Sequence, residues 1–151
     1  MGGSLKTKKN KSPTFLVWAM ADAQGTNLQR VQIIKGWLDN GESKEKVYDA
    51  TCSDGLEVDK SSHRCPDNGA KVNLNDCSIS KNKGSRELKT LWKDPEFIED
   101  QEAFYYVRVL ENPVCRWSTW DAIRSNQLPR SDIKSTIQER AWSSPIWITN
   151  Y

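Results

Sequence analysis

Residues 53–86 set the first constraint on the fold. They hold Gly55, Gly69, Gly84 and Pro66 among many Ser, Asn, Asp and Lys residues, with few large apolar side chains. A stretch of that length and composition buries too little apolar surface to fold alone, so it reads as a long loop that something must tether. Cys52, Cys65, Cys77 and Cys115 are placed to do so, flanking or interrupting it. None forms a C-x-x-C pair, so the spacing of zinc knuckles and thioredoxin-type redox sites is absent. Three readings of the cysteines stay open: two disulfides, four independent buried thiols, or four thiolates converging on a metal. The even number, the polar surroundings and a thin core favour disulfides, and four cysteines allow three pairings among which the sequence does not choose. Disulfides imply an oxidising compartment. No secretory apolar segment follows Met1, which fits an N-terminally truncated chain.

The hydrophobic fraction is 36%, yet there are seven Trp, four Tyr and three Phe, so the core is small and aromatic-rich. Phe15–Met20 is an apolar run of strand length. Leu28–Leu38 carries apolar residues on both faces, as a strand buried on both sides requires. Asn40-Gly41 is a tight-turn signal, and Lys46–Cys52 alternates beyond it. These three segments suggest an antiparallel meander. Glu87–Lys93 alternates again, and Ala103–Leu110 is the clearest strand, rich in aromatic and β-branched residues. Asp94-Pro95 has the form of an N-cap followed by Pro at the first helical position, which predicts two helical turns through Gln101. Thr119–Arg124 suits a helical turn. Residues 133–140 are ambiguous between helix and strand, and 142–148 read as extended. Residues 1–12 carry four Lys and no acid and read as a disordered lead-in or tag, leaving 13–151 as a single β-rich domain. The expected architecture is mainly β: a small antiparallel β-sandwich or partial barrel with long loops and one or two short helices.

Several function classes fall away. Lys plus Arg is 22 and Asp plus Glu is 20, a net charge of +2, and a nucleic-acid binder would show a clear basic excess. No stretch approaches the roughly 20 apolar residues of a membrane-spanning helix. The single His, His63, excludes any site built from a His cluster and reads as a surface residue of a polar loop. No G-x-S-x-G elbow, P-loop or G-x-G-x-x-G appears. Glu96, Glu99, Asp100 and Glu102 suit capping of the expected helix better than acid–base chemistry. Asp54, Glu57, Asp59, Asp67, Asn68, Asn73 and Asp76 offer hard oxygen atoms but not in EF-hand order, so no metal site is assigned.

The last third sets Arg beside Trp twice, in Arg116-Trp117 and in Glu139-Arg140-Ala141-Trp142. Arg stacked on indole is a structural contact of about 1 kcal/mol. The same grouping also suits an anion or sugar site, with Arg as bidentate partner. Arg116, Trp117, Glu139, Arg140 and Trp142 are therefore the candidate ligand or interface residues, and no residue is assigned a catalytic role.

Those residues sit within longer motifs. Phe15-Leu-Val-Trp-Ala-Met20, Leu28-Gln-Arg-Val-Gln-Ile-Ile-Lys-Gly-Trp37, Ala103-Phe-Tyr-Tyr-Val-Arg-Val-Leu-Glu-Asn-Pro113, Cys115-Arg-Trp-Ser-Thr-Trp-Asp-Ala-Ile123 and Thr136-Ile-Gln-Glu-Arg-Ala-Trp-Ser-Ser-Pro-Ile-Trp147 follow in order. With them the chain resembles the C-terminal region of a bacterial family of unknown function, family 3604, whose long members are related to PHP-type metal-dependent hydrolases. The resemblance implies a parent that hydrolyses a phosphate, phosphonate or sulfate ester with divalent metal. The metal motif of that family, of Gly-Asp-Leu-His-x-His type, has no counterpart here, so the cofactor is expected only in an N-terminal portion. The four cysteines resemble a subgroup with Cys at all four places, which suits two disulfides. Exported relatives imply an extracytoplasmic location. The resemblance thus implies a non-catalytic C-terminal domain or fragment, structural or substrate-shaping, whose partner is the N-terminal catalytic portion. The alternatives are a stand-alone anion- or carbohydrate-binding module with an Arg/Trp surface, and an enzyme complete in itself; a homodimer through exposed aromatic surface is a further candidate partnership. Neither nucleic acid nor membrane is an expected partner.

Overall fold

The structure, a computed structural model, describes residues 2–6 and 11–149. In chain order the elements are β1 (Gly3–Lys6), β2 (Thr14–Met20), β3 (Leu28–Asp39), β4 (Glu42–Cys52), β5 (Glu87–Lys93), β6 (Ala103–Cys115), α1 (Trp117–Arg124), β7 (Thr136–Trp142) and β8 (Ile146–Thr149). Six strands form one sheet in the order β1-β8-β6-β3-β4, with β7 also on β6; β2 and β5 form a second sheet. The chain is mainly β, and the two sheets face one another as in a small sandwich.

The central strand is β3, paired antiparallel with β4 on one side and β6 on the other. That position explains its apolar residues on both faces, and Val31, Ile33 and Ile34 are at most 1% exposed. Asn40 and Gly41 take positive φ (52° and 83°) and close the β3–β4 hairpin as their sequence requires. Phe15, Val17 and Leu88 of the small sheet pack on Val31, Ile33 and Tyr105 of the large one. Each such side chain contributes about 1.5–3 kcal/mol by leaving water. One end of this core is closed by a buried ion pair. Lys35 Nζ lies 2.8 Å from Asp94 Oδ2, which also accepts the Tyr105 hydroxyl at 2.7 Å.

Both disulfides form, Cys52–Cys65 and Cys77–Cys115, with Cα–Cα distances of 5.7 Å. Apart from isolated bridges such as Asp59↔Arg64 and Val72↔Ile79, residues 53–86 are loop, as their composition predicts.

Three expectations need correction, and one open reading is resolved. β2 belongs to the second sheet, in register with β5 from Thr14↔Lys93 to Met20↔Glu87, so it is no part of a meander with β3 and β4. The helix expected over 94–101 is a pair of turns. Asp94 does bond the Glu96 N–H at 2.9 Å, but its other oxygen is held in the core by Lys35 and Tyr105, and Asp100 turns the chain with φ 63°. The ambiguous stretch near 137 is strand β7. Gly3–Lys6, inside the expected lead-in, is strand β1, parallel to β8 from Gly3↔Ile146 to Lys6↔Thr149. The rest of that lead-in, at residues 1 and 7–10, lies outside the described residues.

Candidate functional site

The last turn of β6 and the whole of β7 build the site. β6 carries Pro113, which has no N–H to give a ladder, and the β6–β7 register breaks between Leu110 and Pro113. Gln138, opposite Pro113, fills the break: its Nε2 donates to the Glu111 carbonyl at 3.0 Å and to Gln29 Oε1 at 2.9 Å. Thr136, Gln138 and Arg140 then follow at the two-residue spacing that puts strand side chains on one face. At the end of β6, Cys115 is fixed by its disulfide and by pairing with Thr136. Arg116 follows at once, its N–H donating to the Ser135 carbonyl at 2.9 Å.

Together these residues wall a groove of about 540 Å³ whose lining includes Gln29, Arg30, Asp67, Arg116, Lys134, Gln138 and Arg140. Its charge is one-sided. Arg30 is matched by Asp49 at 3.0 Å, an aspartate buried to 2% exposure that also accepts Gln32 Nε2 at 2.6 Å and the Cys65 N–H at 2.7 Å. Gln29 Oε1 holds the other edge of the Arg30 guanidinium at 2.7 and 3.0 Å. Arg116 and Lys134 have no ion pair among the described residues, and Arg140 makes only a 3.4 Å bond to the Gln138 carbonyl. The one carboxylate in the lining, Asp67, accepts the Gly69 N–H at 3.0 Å. Arg116 adds the most informative atom: its Nε is buried and has no hydrogen-bond partner, alone in this among the side-chain atoms of the described residues. A buried donor left unsatisfied costs about 1–3 kcal/mol, more on a charged group, and calls for an explanation.

Of the candidate residues from the sequence, Arg116 and Arg140 meet in this groove, and the other three do not. Trp117 is 74% exposed on α1. Glu139 is exposed and outside the groove lining, and Trp142 lines a separate groove with Trp18. Neither arginine stacks on the Trp that neighbours it in sequence among the described residues; the Arg–Trp contact present joins Arg124 to Trp120, at 5.3 Å. Sequence reasoning missed Arg30, Lys134 and Gln138. One signal was present: Gln29-Arg30 opens a strand whose other residues demand burial on both faces.

The acidic residues serve local roles. Burial pushes the Asp54 carboxyl up, but the Gly84 N–H, the Ser53 hydroxyl and the Asn68 amide outweigh it and hold the group below its ordinary value. Ser61 and Ser62 do the same for Asp59 through hydroxyl and backbone bonds. Glu96 bonds the Lys46 ammonium and the Tyr48 hydroxyl, which lower it, and lies 3.6 Å from His63 Nε2. His63 is therefore a half-buried partner of Tyr48, 5.2 Å between ring centres, and not a free surface residue. No cluster of three or more His, Cys, Asp or Glu side chains able to hold a metal ion occurs among the described residues.

The two disulfides are compatible with an extracytoplasmic protein, and no helix among the described residues is long and apolar enough to cross a membrane. Comparison with curated proteins and with solved structures returns no match. The model of the family described as "Protein of unknown function (DUF3604)" matches residues 1–150, and the chain belongs to that family.

Proposed function

We propose that this chain is a non-catalytic, substrate-shaping domain of a PHP-like metal-dependent ester hydrolase, and that its groove holds the oxyanion of a phosphate, phosphonate or sulfate group. The observation that carries this reading is the orphaned, buried Nε of Arg116 in a groove with Lys134 and Arg140. An oxyanion would give that donor its missing acceptor, and a guanidinium presents parallel N–H groups that match two oxygens at once. Gln138 and the Arg30–Asp49 pair, already bonded to one another through Gln29, form a rigid floor. Those groups need no reorganisation on binding, and Arg116 alone must turn to present its Nε.

The partner in this reading is the N-terminal catalytic portion of the parent protein, which would supply the divalent metal. Trp18, Trp117, Trp120, Trp142 and Trp147 are each at least 37% exposed, which supports a surface meant to be covered. The two disulfides support an extracytoplasmic location for the parent.

The test is titration of the chain with inorganic phosphate and sulfate at low ionic strength, followed by amide and guanidinium NMR. Saturable shifts of Arg116 and Arg140 are expected, with Arg116→Gln weakening binding at least tenfold and Arg140→Gln less. Equal affinity in Arg116→Gln, or no shift at millimolar anion, overturns the reading.

A further inference from the structure

A second concavity lies on the same large sheet, at the end remote from Arg116. It encloses about 510 Å³ and is lined by Trp37, Phe104 and Trp147, with Ser43, Glu45 and Glu102 among the polar groups. Its floor depends on a glycine. Gly36 pairs with Phe104 across β3 and β6, and a Cβ at position 36 would lie 2.3 Å from the Phe104 ring. Without that Cβ, the tip of the Phe104 ring occupies the space over Gly36. Trp147 pairs with Phe104 from the other side, and Tyr106 stands two residues along on the same face. Phe104 stands at the corner of the three, with Trp147 across the strands and Tyr106 along β6, outside the lining of the concavity. Phe104 and Tyr106 are 12° from parallel at 6.3 Å, and Trp147 meets Phe104 at 5.0 Å and 48°. Trp147 is 50% exposed.

Phe104 and Trp147, neighbours on one face of the sheet, form a shallow two-ring platform and not a cage. A cage would set ring faces toward a common centre and suit an ammonium group. A platform suits a flat ligand with C–H bonds on one face, since ring faces carry negative charge and attract C–H hydrogens. At the rim, the Glu45 and Glu102 carboxylates make no hydrogen bond among the described residues, and the Ser43 hydroxyl stands near them. The Lys44 ammonium is engaged by Glu42 at 2.8 Å. Acceptors around an aromatic floor fit the ring of hydroxyls on a sugar, and an open groove of this size is ample for one or two rings.

We infer that the Trp147–Phe104 trough over Gly36 is a binding site for an uncharged pyranose chain, with the rings stacking on the sugar and Glu45 and Glu102 accepting its hydroxyls. The site shares no lining residue with the cationic groove, so the two stand or fall separately.

Cellohexaose, laminarihexaose and mannohexaose, titrated into the full chain, test it through the Trp147 indole N–H resonance. At least one is expected to shift that resonance saturably. Trp147→Ala should weaken its binding at least tenfold, Glu45→Gln about threefold, and Trp147→Tyr, which keeps a ring, less than threefold. Saturating phosphate should leave the sugar affinity unchanged. No shift with any of the three at millimolar concentration overturns the inference, as does unchanged affinity in a folded Trp147→Ala protein. A tetramethylammonium response in place of a sugar response makes the trough a cation site, and loss of sugar binding in phosphate merges it with the other groove.

Discussion

The two sheets and the 53–86 loop are held by different physics. Between the sheets, Phe15, Val17, Val31, Ile33, Leu88 and Tyr105 are buried against one another, and their stability comes from apolar area. In the loop, one buried amide does much of the joining. Asn68 Nδ2 donates to Ser53 Oγ, Asp54 Oδ2 and Asn112 Oδ1 at 3.2, 3.0 and 2.9 Å, and its Oδ1 accepts Gln29 Nε2 and the Ala70 N–H. Two disulfides do the rest. A region without apolar area can still be ordered where cross-links shrink its unfolded ensemble and a polar network is satisfied throughout. The cationic groove lies where the two regimes meet, with Asp67 and Ala70 from the loop and Arg116 and Arg140 from the sheet.

That contrast can be broken from either side. The largest effect is expected from Cys77→Ser/Cys115→Ser, which opens a loop of 38 residues and costs about 4 kcal/mol in the chain-entropy model. Hydrogen exchange should show protection lost first over 66–86 while β3 and β6 stay protected; equal loss in β3 would erase the distinction. Asn68→Ala removes the amide that five loop and strand groups share, and should lower urea stability by about 2 kcal/mol. Ile33→Val takes one methylene from the core and should cost about 1 kcal/mol, spread over both sheets and leaving loop cleavage by protease unchanged.

The smallest effect is electrostatic. Bonds from Lys46 and Tyr48 hold Glu96 below the ordinary carboxylate value, so its folded value lies under its unfolded one. It therefore contributes stability at pH above about 4.3, and that contribution fades as pH falls through the folded value. The urea midpoint should be flat from pH 7 to about 5 and decline below, and Glu96→Gln should make the decline shallower. Because Glu96 is 46% exposed at its side chain, solvent screening keeps the change small.

How far the sequence carried the fold follows the range of the interactions. The β3–β4 hairpin was legible because Asn40-Gly41 and the alternation on either side are local signals. The buried centre of β3 was legible because apolar residues on both faces have one common explanation. The partner of β2 was not, since nothing in Thr14–Met20 tells β5 from β3. The helix at Asp94-Pro95 failed because a residue with the local signature of a cap has its carboxylate committed to Lys35, distant in sequence. Half of the site was visible as Arg116 and Arg140. Lys134 and Arg30 join them only through the β6–β7 and β3–β6 registers, which no spacing in the sequence encodes.

Cys115 is the last residue of β6, and Arg116 follows as the N-cap of α1. The large sheet pairs through β3, β4 and β6 without help from either cross-link, whereas the position of Arg116 is set one bond away from the Cys77–Cys115 bridge. Reduction of that bridge is therefore expected to loosen the placement of Arg116 and leave the pairing of β3 with β4 and β6 in place.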